Sequence, residues 1–147
     1  MAGRKLVLGG VEIPYERGLL GHSDGDVLLH AIADALLGAT GKGDIGQHFP
    51  SSERQYKGIS SLKLLERVVA LLKKDGFGVV NIDATVLAEG PVLSPYFDAM
   101  KKKIASVLGL DAGNIGIKAT TQEGLGAVGR GEGMAAIAVA LVKDEAL

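Results

Sequence analysis

Between His22 and His30 the chain reads His-Ser-Asp-Gly-Asp-Val-Leu-Leu-His, which gathers imidazoles, carboxylates and a hydroxyl into one short stretch. Asp26, His30 and Asp34 fall at i, i+4 and i+8, so on a helix they share one face, with the imidazole between two carboxylates. Such a face can hold a divalent metal ion, and a solvated polar stripe opposite a core stripe fits the same spacing. A second concentration of chemistry is Thr120-Thr121-Gln122-Glu123. Its hydroxyls can donate to phosphate oxygens, and Glu123 can hold a magnesium ion shared with a phosphate. Threonine is equally at home in a strand, and a terminal glutamate is commonly just solvated. In Asp44-Ile45-Gly46 the glycine permits close backbone approach and the aspartate can accept from a sugar hydroxyl, although a plain turn uses the same residue types. Arg130 offers a planar guanidinium to a phosphate or diphosphate.

Two patterns fail on inspection. Gly124-Leu-Gly-Ala-Val-Gly129 matches the dinucleotide fingerprint, but that motif needs a helix opening at its last glycine. Here Arg130-Gly131-Glu132-Gly133 follows and a strand pattern comes next, so a turn carrying a functional arginine is the better description. His22 beside Ser23 suggests a base and a nucleophile, yet adjacent side chains rarely align that way and no orienting acid is identifiable.

These residues need elements to place them. Leu6–Leu8 and Val11–Ile13 are short apolar runs joined by Gly9-Gly10, which predicts a hairpin with positive φ at the turn. Leu28, Leu29, Ile32, Leu36 and Leu37 recur at helical spacing, with Ser23 or Asp24 as the expected N-cap. A glycine-punctuated, polar stretch from Gly41 through Phe49-Pro50 to Ser51-Ser52-Glu53-Arg54 is a candidate binding loop or lid. Ser60 or Ser61 then caps a helix with a stripe of Leu62, Leu65, Val69 and Leu72, stopped by Gly76. A strand follows with Val80, Ile82, Ala84 and Val86 on one face. Ser94-Pro95 opens a helix with a stripe of Phe97, Met100, Ile104 and Leu108, ending at Gly109. Two more strands, around Ile115–Thr120 and from Met134 to Val142, flank the glycine-rich connection. The order predicts an α+β fold with helices on one face of a mixed sheet, in a ferredoxin-like split βαβ arrangement.

Composition sets outer limits. The 147 residues fit one domain, long enough to bury about 70% of the unfolded chain's surface. With three Phe, three Tyr and no Trp the core must be aliphatic, which disfavours aromatic stacking on bases as a mode of nucleic-acid binding. Sixteen basic against seventeen acidic side chains offer no electrostatic footprint for nucleic acid or an anionic membrane. The absence of Cys removes disulfides, thiolate metal sites and a cysteine nucleophile. Neither an apolar leader within Met1–Lys5 nor an apolar run of membrane-spanning length is present, so a cytoplasmic protein is the expectation.

Taken in order, Leu8-Gly9-Gly10-Val11-Glu12-Ile13-Pro14, the His22 to His30 stretch, Asp44-Ile45-Gly46 with Phe49-Pro50, and Lys118-Ala-Thr-Thr-Gln-Glu-Gly-Leu-Gly126 with Gly129-Arg130 closely resemble the 2-C-methyl-D-erythritol 2,4-cyclodiphosphate synthase family. The resemblance implies a lyase of the non-mevalonate isoprenoid pathway. In it the 2-phosphate of a cytidine-diphosphate-linked methylerythritol attacks its own β-phosphate, CMP leaves, and a cyclic diphosphate forms. It implies His30 as a zinc ligand with Asp34 behind it, and His22 and Ser23 holding the substrate phosphate. It also implies Thr121 stabilising the transition state and Glu123 carrying magnesium. Asp44, Ile45, Gly46, Phe49, Pro50, Ser51, Ser52 and Glu53 would line the methylerythritol side. Ala88, Pro91, Leu93, Ser94 and Thr120 would form the cytidine pocket. The family is a homotrimer with sites between subunits, and Ala127 and Arg130 would face a central cavity that can take an isoprenoid diphosphate.

Some positions depart from the family pattern. Its N-terminal strand ends in an Asp-x-His pair of zinc ligands, which would fall upstream of Met1 of this 147-residue domain, so zinc binding is expected to be impaired. Ser51-Ser52-Glu53 stands where the family usually has Asp-Thr-Asp, and Glu89, Gly90 and Val92 where it more often has Gln, a small residue and Lys. A positive charge near the diphosphate is therefore expected to be missing. The rival expectation is a catalytically weak trimeric module that binds a cytidine nucleotide or an isoprenoid diphosphate.

Overall fold

The computed structural model describes residues 5–15, 25–50, 52–56 and 58–145. Strands β1 (Leu6–Leu8) and β2 (Val11–Ile13) pair antiparallel with Leu8 opposite Val11. Gly9 at φ +59° and Gly10 at φ +77° turn the chain between them, as the Gly-Gly pair predicts. A side chain at either position would collide: a Cβ on Gly9 would lie 2.6 Å from Met100 Cγ, and one on Gly10 2.8 Å from Leu62 Cδ1.

Helix α1 (Val27–Ala39) buries Leu28, Leu29, Ile32, Leu36 and Leu37, the residues whose spacing predicted it. Its N-cap is Asp26, not Ser23 or Asp24. The Asp26 side chain is fully buried, with Oδ1 accepting from the Leu29 amide at 3.0 Å and the Gly9 amide at 3.0 Å, and Oδ2 from the Gly10 amide at 2.8 Å. One carboxylate thus caps the helix and fastens the hairpin turn to it.

A single helical turn, α2 (Ile45–His48), interrupts the glycine-rich loop, capped by Asp44. Helix α3 (Ser61–Lys74) starts after Ser60, whose hydroxyl accepts from the Lys63 amide at 3.2 Å. Its buried face runs through Leu64, Leu65, Val68, Val69 and Leu72, while Leu62, expected in the stripe, is half-buried over Gly10. Strand β3 (Phe77–Leu87) follows and buries Ile82, Ala84 and Val86 as expected. Val80 departs from that face and is 38% exposed, because the register slips between Val79 and Asn81 and an extra residue turns the alternation over. A 3₁₀ turn at Ser94–Tyr96 leads into helix α4 (Phe97–Leu108), with Met100, Ile104 and Leu108 buried and left-handed Gly109 ending it. The cap positions are Leu93 for the turn and Tyr96 for α4, not Ser94, and neither makes a side-chain capping bond, so Pro95 marks the start. Strand β4 (Ile115–Thr120), the single turn α5 (Gly126–Gly129) and strand β5 (Ala135–Asp144) complete the order.

The main sheet has the order β4-β3-β5, with β3 parallel to β4 and antiparallel to β5. Helices α1, α3 and α4 pack on one of its faces, so the expected α+β class, with helices covering a mixed sheet, holds. The described residues form one parallel β3-α4-β4 crossover in three strands, where a complete ferredoxin-like split arrangement has four. The opposite face exposes Ile137, Val139 and Leu141. Among the described residues no helix is long and apolar enough to cross a membrane.

Candidate active site

Parallel pairing decides where the site forms. Leu87 and Thr120, the last residues of β3 and β4, are register partners, and the Ala88 amide extends the ladder by donating to the Thr120 carbonyl at 3.0 Å. The segments that leave the two strands therefore run out side by side, the place where open α/β sheets make crevices. Between them lies a cavity of about 270 Å³. Ala88, Pro91, Val92, Leu93 and Phe97 supply apolar wall, while Ser94, Glu89, Thr120 and Thr121 bring polar groups. The Gly90–Pro91 peptide is cis.

The family resemblance placed Ala88, Pro91, Leu93, Ser94 and Thr120 in one pocket, and the structure brings them together, with Thr121 beside them. It also adds Phe97, assigned from sequence only to a helical stripe. Periodicity could not reveal that role, because it depends on how the helix packs beside the strand ends. On the polar side, Thr121 Oγ1 accepts from the Glu123 amide at 3.2 Å. A hydroxyl that accepts in this way keeps its own proton to donate toward a ligand oxygen.

The second group of candidates surrounds the start of α1. His30, half-buried, has Nε2 at 2.9 Å from the buried Ser61 hydroxyl, so the first residue of α3 orients the imidazole. Sequence reasoning did not anticipate Ser61, having read it only as a possible cap. Asp34, expected behind His30, accepts instead from the Ile45 amide at 2.8 Å. Asp44 accepts from the Gln47 amide at 3.0 Å as the cap of α2. These two carboxylates fix the backbone around Ile45 and Gly46. Phe49 stacks edge-on against Tyr56 at 5.3 Å, with Arg67 over the Tyr56 ring, which shapes the loop carrying Pro50, Ser52 and Glu53. His22, Ser23, Asp24 and Ser51 lie outside the described residues.

The metal-binding face read from Asp26, His30 and Asp34 does not form, because both carboxylates are occupied by backbone amides. Among the described residues there is no group of three or more His, Cys, Asp or Glu that could hold a metal ion. Around Gly124–Gly129 the fingerprint reading is refused for a physical reason: α5 ends at Gly129, and a Cβ there would lie 2.3 Å from the Gly124 carbonyl carbon. Ala127 and Arg130 sit exposed on and just after this turn, with Arg130 Nη2 paired to Glu132 at 2.9 Å.

Residues 1–143 match the profile of the YgbB family. The 2-C-methyl-D-erythritol 2,4-cyclodiphosphate synthase of Pelotomaculum thermopropionicum is 60% identical over 140 residues, covering 95% of this chain and 86% of that protein. That of Clostridium acetobutylicum is 58% identical over 139 residues, covering 95% and 90%. Among solved structures, the bifunctional IspDF from Campylobacter jejuni matches the whole chain with a TM-score of 0.93 at 42% identity, this chain spanning 40% of that protein. A 2-C-methyl-D-erythritol 2,4-cyclodiphosphate synthase in a CDP-bound form matches 97% of the chain with a TM-score of 0.88 at 33% identity.

Proposed function

The chain belongs to the YgbB family, and from that premise we propose that it is a 2-C-methyl-D-erythritol 2,4-cyclodiphosphate synthase, closing 4-diphosphocytidyl-2-C-methyl-D-erythritol 2-phosphate into the cyclic diphosphate with release of CMP. The observation that carries the reading is the cavity between residues 88–94 and 119–121. It offers an apolar slot for a base and sugar with hydroxyls at one end for phosphate, and a relative binds CDP.

An oxygen of the 2-phosphate attacks the β-phosphorus, the bond from that phosphorus to the oxygen bridging to the α-phosphate breaks, and CMP departs with that oxygen. The nucleophile is already anionic, so no strong base is needed. The barrier falls by holding the phosphates in line and offsetting their charge. Thr121 donates its hydroxyl proton to a phosphate oxygen as charge shifts toward the leaving group. Thr120 and residues 88–94 hold the cytidine end. Asp44, Ile45, Gly46, Phe49, Pro50, Ser52 and Glu53, with Ser51, line the methylerythritol side, and His22 and Ser23 hold the 2-phosphate.

His30 would give one imidazole to zinc and Glu123 a carboxylate to magnesium, and such cations, when bound, supply positive charge to the phosphates. A homotrimer with sites between subunits fits this reading, and the uncovered Ile137, Val139 and Leu141 offer an apolar face for subunit contact. Ala127 and Arg130 would then face a central cavity able to take an isoprenoid diphosphate. A cytoplasmic location goes with this reading.

Incubation with the cytidine-diphosphate substrate, Mg²⁺ and Zn²⁺ tests it. CMP and the cyclic diphosphate should appear in equal amounts. CDP binding without any CMP release would overturn the enzyme in favour of a nucleotide-binding module.

A further inference from the structure

Among the described residues, Glu123 is the one residue other than glycine with a left-handed backbone, at φ +53°. Such a conformation persists in an L residue only where the surroundings enforce it. The enforcing group is a carboxylate from the opposite wall of the cavity. Glu89 Oε2 accepts from the Gln122 amide at 2.7 Å and Glu89 Oε1 from the Gly124 amide at 3.1 Å, so the two bonds straddle Glu123. The Glu123 amide donates to Thr121 Oγ1 at 3.2 Å, and the Leu125 amide closes the turn on the Gln122 carbonyl at 3.0 Å.

Three successive amides of a phosphate-side turn are thus answered from within the protein. A run of such amides is otherwise a natural anion nest. Here it is filled by Glu89, which leaves phosphate recognition on this turn to the side chains of Thr121 and Glu123. A glutamine at position 89 could answer only one of the two amides, since its other terminal atom is itself a donor.

We infer that Glu89 is a positioning residue: by bridging the segments that follow β3 and β4, its carboxylate sets the turn that presents the Thr121 hydroxyl to the cavity and carries Glu123. The kinetic consequence rests on the proposed cyclisation, whereas the structural one stands without it.

Both arms are tested with E89A and E89Q in the full chain. In ligand-free protein, NMR hydrogen exchange at the Gln122 and Gly124 amides should accelerate at least about tenfold in E89A, the loss of a charge-assisted bond at each. In E89Q one of the two should accelerate, with the Ile117 amide unchanged in both variants and the melting temperature lowered by no more than about 10 °C, the scale of two tenfold losses. In turnover, kcat should fall about 10- to 100-fold in E89A, the scale of a misplaced catalytic group, and less in E89Q. Affinity for CDP should stay within about threefold, because the apolar walls remain. Retained protection of both amides in E89A, or a kcat within about twofold of wild type, overturns the inference. A matched loss of CDP affinity and kcat overturns it in favour of direct ligand contact. If the wild-type protein releases no CMP, the reaction fails while the exchange measurement still decides the clamp.

Discussion

Replacing Asp26 with alanine should destabilise the protein severely, through the three amides that its carboxylate satisfies. Those of Leu29 and Gly9 are buried and donate to Oδ1, and that of Gly10 is partly buried and donates to Oδ2. Loss of the helix cap costs about 1 kcal/mol. A buried amide left without a partner, as at Gly9, costs about 1–3 kcal/mol. Water can reach Gly10 and limits the cost there. With up to about 1 kcal/mol for Gly10 the sum is about 2–5 kcal/mol, which for a chain of this size lowers the melting temperature by about 5–15 °C. D26N gives an internal control, because its amide oxygen can keep both bonds made by Oδ1 while its nitrogen faces the Gly10 donor. It should lose about half as much. Thermal melts followed by circular dichroism, with urea midpoints alongside, measure both variants. A D26A protein melting within about 3 °C of wild type, or D26N falling as far as D26A, would refute the assignment of Asp26 as the lock between hairpin and helix.

Gly9→Ala should cost about 2–4 kcal/mol in urea unfolding, combining left-handed backbone with the collision at Met100, whereas G38A, in a helix with open space around it, should stabilise by about 0.5–1 kcal/mol. The exposed Asp75 carboxyl is held below its ordinary value, first by the hydrogen bond from Lys42 and then by that residue's charge. Since the folded state holds the proton more weakly than the unfolded chain, this pair stabilises above the ordinary carboxylate range and the contribution is lost as pH falls through the lowered value. In K42M, NMR titration should show Asp75 moving back up. Val92 is 76% exposed on the cavity rim, so V92K should tighten CDP binding by about three- to tenfold at low ionic strength, and the gain should vanish near 1 M salt by calorimetry.

Local pattern carried the hairpin and the helices, because Gly9-Gly10 and the leucine spacing of α1 act over a few residues. It failed wherever a distant partner chose. Val80 left its face because the pairing with β5 slips beside it, and Leu62 left its stripe to cover a hairpin turn. The helix cap moved to Asp26 because that side chain could also reach Gly9 and Gly10, which no local signal announces. The cavity residues on the 88–94 segment were legible by resemblance. The place of Phe97 in the cavity wall, and the bonds of Glu89 to the Gln122 and Gly124 amides, needed the register of β3 against β4.

The same contrast bears on which acids can do chemistry. Asp26, Asp34 and Asp44 each looked available for a metal or a hydroxyl when read as letters, and each, like Glu89, accepts from a backbone amide in the fold. A carboxylate engaged in this way has part of its charge offset and some of its lone pairs directed inward, which makes it a poorer cation ligand and a better fixture for a loop. Asp34 and Asp44 fix one loop, and Glu89 fixes the other. Glu123 differs, because it stands on a turn whose own amides are already answered by Glu89 and Thr121. The fold thus uses several acids to shape backbone, and in the proposed reaction that leaves a few side chains, Thr121 and Glu123 foremost, to meet the phosphates from fixed positions. For a reaction whose nucleophile arrives already charged, position is the larger part of what a protein can contribute.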